Sequence, residues 1–140
     1  MPHDAALVQD VRGWLAKASA DLRAAEHDLT ASPSLHGDVV FHCQQASEKA
    51  LKALLAWHDR PFRKTHNLEE IGQQCAEIEP ALKGFVDRVA PLTEYAWKFR
   101  YPGEAEEPTP KEAMDALRLA RDVYDIVLSR LPDEVRPPTR

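Results

Sequence analysis

"FHCQQASEKALKALLAW", residues 41–57, decides the fold. At helical spacing Cys43, Ala46, Ser47, Ala50, Leu51 and Leu54 share one side, and Phe41 and Leu55 widen it past half the circumference. A helix with so much apolar surface belongs in the middle of a bundle. The small residues at 43, 46, 47 and 50 predict close approach by a neighbouring helix. The other side carries His42, Gln45, Lys49 and Lys52 within a sector of roughly 80°. Glu48 sits beside that stripe, four residues before Lys52, at the spacing of a helical ion pair.

Three readings fit the stripe. It is a solvated face whose lysine stems cover apolar surface. Or two ammonium groups and an imidazole converge on a phosphate, a nucleotide or an RNA backbone. Or it is a polar seam against a second protein.

Working outward, Leu7, Val11, Trp14, Leu15, Ala18, Leu22, Ala25 and Leu29 recur at threes and fours and predict a first helix from Ala5 to Leu29. "TASPSLHG", residues 30–37, reads as a loop. The second helix then runs from Asp38 to His58. "DRPFRKT", residues 59–65, breaks the pattern. Asn67 with Glu70 three residues later has the form of a capping box, with Thr65 as a competing cap, for a third helix over Leu68 to Ile78. A fourth starts at Pro80 or Ala81 and reaches Phe99, with a kink or break before Pro91. "RYPGEAEEPTP", residues 100–110, is the longest connection. A last helix follows Pro110 and ends near Leu131. The fold expected is all-α: a four-helix up-and-down bundle with an additional short helical segment. Its core is predicted to include Trp14, Leu22, Cys43, Ala50, Leu54, Tyr95, Val123 and Val127. Residues 1–131 form the bundle, and 132–140 are expected to be a flexible tail.

The whole chain is consistent with this. Its 140 residues are the size of one domain able to bury a core. A formal charge of −5 argues against a duplex-binding protein that works by general phosphate neutralisation, but leaves room for a local basic pocket. Two cysteines, Cys43 and Cys75, are too few for a disulfide scaffold or a four-cysteine zinc site. No apolar run reaches transmembrane length and the N-terminus has no signal-peptide stretch, so a cytoplasmic protein is expected.

The second cationic cluster is "RPFRKTHN", residues 60–67, where Arg60, Arg63, Lys64 and His66 precede a helix N-terminus that would reinforce attraction for an anion. The plainer reading is a solvated turn with His66 hydrogen-bonded locally. There is no HExxH, Walker A loop, dinucleotide fingerprint or GxSxG, so no metal and no cofactor is called for. The acids of "GEAEE" read as a solvated loop. Trp14, Trp57 and Trp97 read as core or interface residues rather than a platform for bases.

Taken together, "WLAKASADLRAAE", "FHCQQASEKALKALLAW", "KTHNLEEI", "LTEYAWKFRYPG" and "ALRLARDVYDIV" resemble, in order and spacing, the HEPN family, helical domains named for higher eukaryotes and prokaryotes nucleotide-binding. The resemblance covers residues 10–131. It implies a homodimer and, in the prokaryotic branch, a partner that is a minimal nucleotidyltransferase. It also implies that some members are ribonucleases, toxins among them, which cut RNA with an Arg and a His four to six residues apart, joined across a dimer. The corresponding segment here resembles "KFRYPGEAEE", where Arg100 is present but no histidine follows. Arg60 and His66 have the right spacing, yet they lie before the third helix, in the part resembling the family's "KTH" signature.

The function expected from sequence is therefore a non-catalytic nucleotide- or RNA-associated module, toxin–antitoxin-like in kind, working with a small nucleotidyltransferase. His42, Lys49, Lys52, Arg63, Lys64, His66 and Arg100 are the candidate ligand contacts. The first alternative is a metal-independent ribonuclease using Arg60 and His66. The second is a protein-interaction bundle that binds no nucleotide.

Overall fold

The computed structural model describes residues 4–103 and 106–137. Among them there is no strand, and the chain forms five helices. These are α1 (Ala5–Leu29), α2 (His36–Trp57), α3 (Leu68–Ile78), α4 (Lys83–Val89) and α5 (Pro110–Ser129). Short 3₁₀ turns, Pro80–Leu82 and Ala90–Ala96, join α4 at its two ends. The fourth element is thus three joined pieces, with the break before Pro91 where the sequence places a kink or break. Pro91 lacks an N–H for a helical bond and its ring crowds the preceding turn, so the chain tightens after Val89.

The ends of the elements show local chemistry. Asp4 caps α1 by accepting from the Ala6 amide. Thr109 and Glu112 form a complete capping box at α5, with Pro110 in the first turn. Asn67 caps α3 by accepting from the Glu69 and Glu70 amides. The return half of that box is absent, because the Glu70 carboxylate binds Arg63 and the Asn67 amide goes to Thr65 Oγ1.

Helix α2 starts two residues earlier than expected, at His36, and no local side chain caps it. Glu107 does so from the far end of the 100–110 connection: its Oε2 accepts from the Gly37 amide at 2.8 Å. A Cβ at residue 37 would meet that carboxylate at 3.0 Å and the Phe99 Cβ at 3.2 Å, so glycine is what permits the approach. Part of the acidic loop is therefore a cap; Glu104 and Ala105 lie outside the described residues. At its other end α2 stops in a Schellman turn, with Asp59 left-handed (φ 53°), its amide on Ala56 O, and the Arg60 amide on Leu55 O.

Helix α2 is the centre of the molecule, packing most extensively on α1 and then on α5. Val39, Val40, Cys43, Ala46, Ala50, Ala53, Leu54 and Leu55 are fully buried. Ala18, Leu22 and Ala25 of α1 and Ala113, Ala120 and Val127 of α5 meet them with equally buried side chains. Of the expected core, Trp14 and Tyr95 are only half-buried. Trp14 sits edge-on to Phe62 at 5.8 Å, and Tyr95 stacks on Phe99 at 5.9 Å; both rings pack against the core from its margin. Trp57 is half-buried, whereas Trp97 is 52% exposed and so stands outside the core.

Packing also continues past Leu131. A 3₁₀ turn over Asp133–Val135 seats Val135 with no exposure, Arg12 Nε donates to Glu134 O at 2.7 Å, and Arg136 Nη2 donates to Leu128 O at 2.9 Å. Of the expected tail, residues 138–140 lie outside the described residues.

Gly72 marks the closest approach of α3 to α4, since a Cβ there would collide with the Val86 side chain. Gly72→Ala gains helix propensity but must push the two helices apart. A net loss of about 1–3 kcal/mol is expected, read as a lower urea midpoint.

Cys43 and Cys75 are fully buried, and burial pushes both thiols up to about 12. At mildly alkaline pH neither carries thiolate, the reactive form. A disulfide reagent is expected to label neither cysteine in the folded protein and both in urea.

Candidate functional site: a paired polar face on α2

Of the polar stripe on α2, Lys52 is buried while His42, Gln45 and Lys49 are half-buried, and the neighbouring Glu48 and Gln44 are buried as well. Lys52, Glu48 and Gln44 are 6%, 3% and 0% exposed. Ions and amides so placed need partners, and two carboxylates organise them.

Asp21, from α1, is the first. His42 Nδ1 lies 2.9 Å from its Oδ1, and Lys49 Nζ donates to its Oδ2 at 2.7 Å. Burial alone would raise the Asp21 carboxyl, but the hydrogen bonds from His42 and Lys49, aided by their charges, outweigh it and hold it below its ordinary 3.8. A depressed carboxyl contributes stability that is complete above its unfolded value and disappears as pH falls through the lower folded value. The stability difference between wild type and Asp21→Asn is therefore expected in full near neutral pH. It should close at pH values below 3.8, which urea titrations at several pH values would check.

Glu48 is the second. Lys52 Nζ donates to its Oε2 at 3.0 Å, Gln44 Nε2 to its Oε1 at 3.1 Å, and His66 Nδ1 stands 2.7 Å from the same Oε1. Gln44 Nε2 also reaches the His66 carbonyl at 3.1 Å, and Gln45 Nε2 donates to Gln44 Oε1 at 2.6 Å. The Lys52 ammonium lies 5.5 Å from both the Trp14 and the Phe62 ring centres. The ion pair expected from spacing between Glu48 and Lys52 is thus present, but inside the protein. His66 is held to a carboxylate of α2 rather than within its own turn, and its side chain is 60% exposed against 4% for Glu48.

The other candidates divide between elements. Arg60 Nη2 donates to Glu77 Oε2 on α3 at 2.6 Å, so the Arg60 and His66 side chains bind different helices. Arg63 is bound twice to Glu70 Oε1, at 3.0 and 2.6 Å. Lys64 is exposed and makes no ion pair among the described residues. Arg100 lies at the opposite end of α2, its guanidinium 3.8 Å from the Phe41 ring centre and 3.6 Å from Asp38. The structure therefore gathers Lys52 and His66 at Glu48, and His42 and Lys49 at Asp21, and leaves Arg63, Lys64 and Arg100 elsewhere.

Sequence reasoning missed Asp21 and Gln44 as organisers. Asp21 gave a faint signal, a lone acid one residue before Leu22 on an otherwise apolar stripe. Among the described residues no group of three or more His, Cys, Asp or Glu could hold a metal ion, and no helix is long and apolar enough to cross a membrane. A surface cavity of about 270 Å³ between α1 and α5, lined by Leu29, Met114, Leu117, Arg118 and Arg121 among others, includes none of the candidate contacts.

Comparison with curated proteins and with solved structures finds no match. The family model described as "HEPN domain" matches residues 11–131, nearly the whole bundle. Its span takes in all of α2 with both carboxylate-centred clusters, the 60–67 connection and α5. The chain belongs to the HEPN domain family.

Proposed function

We propose that this domain is a metal-independent ribonuclease in which His66 is the acid–base group. The observation that carries the reading is an exposed imidazole anchored through one nitrogen, Nδ1, at 2.7 Å to a buried carboxylate. The geometry favours this over passive anion binding, because six of the seven candidate contacts already face carboxylates of the protein.

RNA carries its own nucleophile, so the chemistry asks little. His66 takes the proton of a 2′-hydroxyl, the 2′-oxygen attacks phosphorus, and the bond to the 5′-oxygen breaks. The imidazolium then gives its proton to the departing oxygen, leaving a 2′,3′-cyclic phosphate and a 5′-hydroxyl end. Lys64, exposed two residues away, and Arg60, with one Nη on Glu77 and further donors to offer, would meet the charge that develops on the phosphate.

The test is RNA digestion by purified protein, His66→Ala and Arg60→Ala, with helicity checked for each. His66→Ala is expected to remove about 10²–10⁴-fold in rate, the usual worth of general acid–base catalysis, and EDTA to change little. No cleavage across varied RNAs, or cleavage unchanged in His66→Ala, overturns the reading.

A second reading has its own observation. No histidine follows Arg100, and Arg100 itself is engaged by Phe41 and Asp38, which suits a non-catalytic module acting with a small nucleotidyltransferase. Saturable binding of ATP or short RNA, weakened in Lys49→Ala, with no cleavage, would favour it. With no binding either, a protein-interaction bundle remains. Under each reading we propose a two-fold homodimer in the cytoplasm, which light scattering at micromolar protein tests for its oligomeric part.

A further inference from the structure

Lys52 and Glu48 are the only oppositely charged pair among the described residues whose two side chains are both under 10% exposed, at 8% and 4%. A buried pair is rarely retained for stability, because desolvating two ions offsets most of their attraction. This one has a third member that reaches the surface. Glu48 accepts from Lys52 on Oε2 and from Gln44 on Oε1, and His66 Nδ1 meets Oε1. A carboxylate paired with an ammonium has only acceptors, so the hydrogen between Glu48 and a neutral His66 has to sit on Nδ1. The remaining ring nitrogen, Nε2, then carries the lone pair.

We infer that Glu48 is the positioning residue that fixes His66 as its Nδ1–H tautomer, with Lys52 and Gln44 holding Glu48 in place. Lys52 has little freedom to release it, being 8% exposed with its ammonium 5.5 Å from both the Trp14 and the Phe62 ring centres. Gln44, fully buried, sets both the carboxylate and the backbone of the histidine, because its one amide nitrogen bridges Glu48 Oε1 and the His66 carbonyl. Among the described residues the His66 ring has one hydrogen-bond partner, Glu48. α2 contributes Glu48 and Lys52; its own connection contributes Arg63, committed to Glu70, and Lys64; the 3₁₀ turn beyond α4 touches this corner through Thr93 Oγ1, which accepts from the Leu68 amide. Tautomer choice thus falls to the buried carboxylate.

This inference deepens the reading of His66 as an acid–base group and rests on it for its consequence in catalysis, but not for its test. Two-dimensional ¹H–¹⁵N spectra of the full chain report directly which ring nitrogen is protonated. Wild type is expected to show His66 as Nδ1–H. The double variant Glu48→Leu with Lys52→Met removes both charges together, which spares the fold an unpaired buried ion. In it His66 should revert to the tautomer mixture of an unrestrained imidazole, while Glu48→Gln with Lys52→Met, which keeps an oxygen acceptor, should restore Nδ1–H. A wild-type His66 protonated on Nε2, or no change in the first double variant, overturns the inference. If the spectra are as expected and RNA is cleaved, kcat should fall at least tenfold in the first double variant and recover in the second, with KM little changed; a KM effect alone overturns the catalytic consequence. Nδ1–H in wild type with no RNA cleavage anywhere overturns the ribonuclease reading and leaves the positioning role standing.

Discussion

Glu48→Ala is expected to destabilise the protein by about 3–5 kcal/mol, the usual cost of removing one partner from a buried ion pair. The loss comes mainly from what is left behind. Lys52 keeps its ammonium in a site 8% exposed, with aromatic faces but no carboxylate. Gln44 loses one of its two acceptors, and His66 loses one of the two bonds by which it pins the 60–67 connection to α2. At a urea slope of about 2 kcal/mol/M the midpoint should drop by roughly 1.5–2.5 M. The double variant Glu48→Leu with Lys52→Met is expected to recover most of that loss, because neither ion is then stranded. A drop under about 1 kcal/mol in Glu48→Ala would mean that Lys52 finds water, and that the cluster is looser than its distances indicate.

Ending the chain at Leu131 is expected to cost about 2.5–6 kcal/mol, although composition marks residues 132–140 as a tail. Val135 is fully buried, and burying a valine side chain is worth about 1.5–3 kcal/mol. The truncation also removes the hydrogen bonds from Arg12 to Glu134 O and from Arg136 to Leu128 O, each worth about 0.5–1.5 kcal/mol net. Val135→Ala in the full chain separates the two contributions. Equal urea midpoints for the truncated and full chains would show that the last turn adds nothing to the bundle.

What the sequence determined by itself was the set of elements. Apolar residues at threes and fours placed α1 and α3 at their observed bounds and identified α2 as the central helix, because helical periodicity and capping are written within a few neighbouring residues. The Asn67 cap, the Glu48–Lys52 pair and the break before Pro91 were legible for the same reason.

Only the tertiary structure decided whether a polar residue on α2 faces water or a partner. His42, Lys49 and Lys52 look alike in a periodic reading, as basic side chains on one stripe. Asp21 lies more than twenty positions upstream, and its carboxylate reaches His42 and Lys49 only because α1 packs along α2. His66 meets Glu48 across eighteen positions because the Schellman turn at Asp59 sends the chain back over that face. Glu107 caps α2 from seventy positions away by the same logic. Local spacing carries no record of such pairings. His42 and Lys49, which would face a ligand if solvated, are bound instead by an acid that a distant helix brings to them.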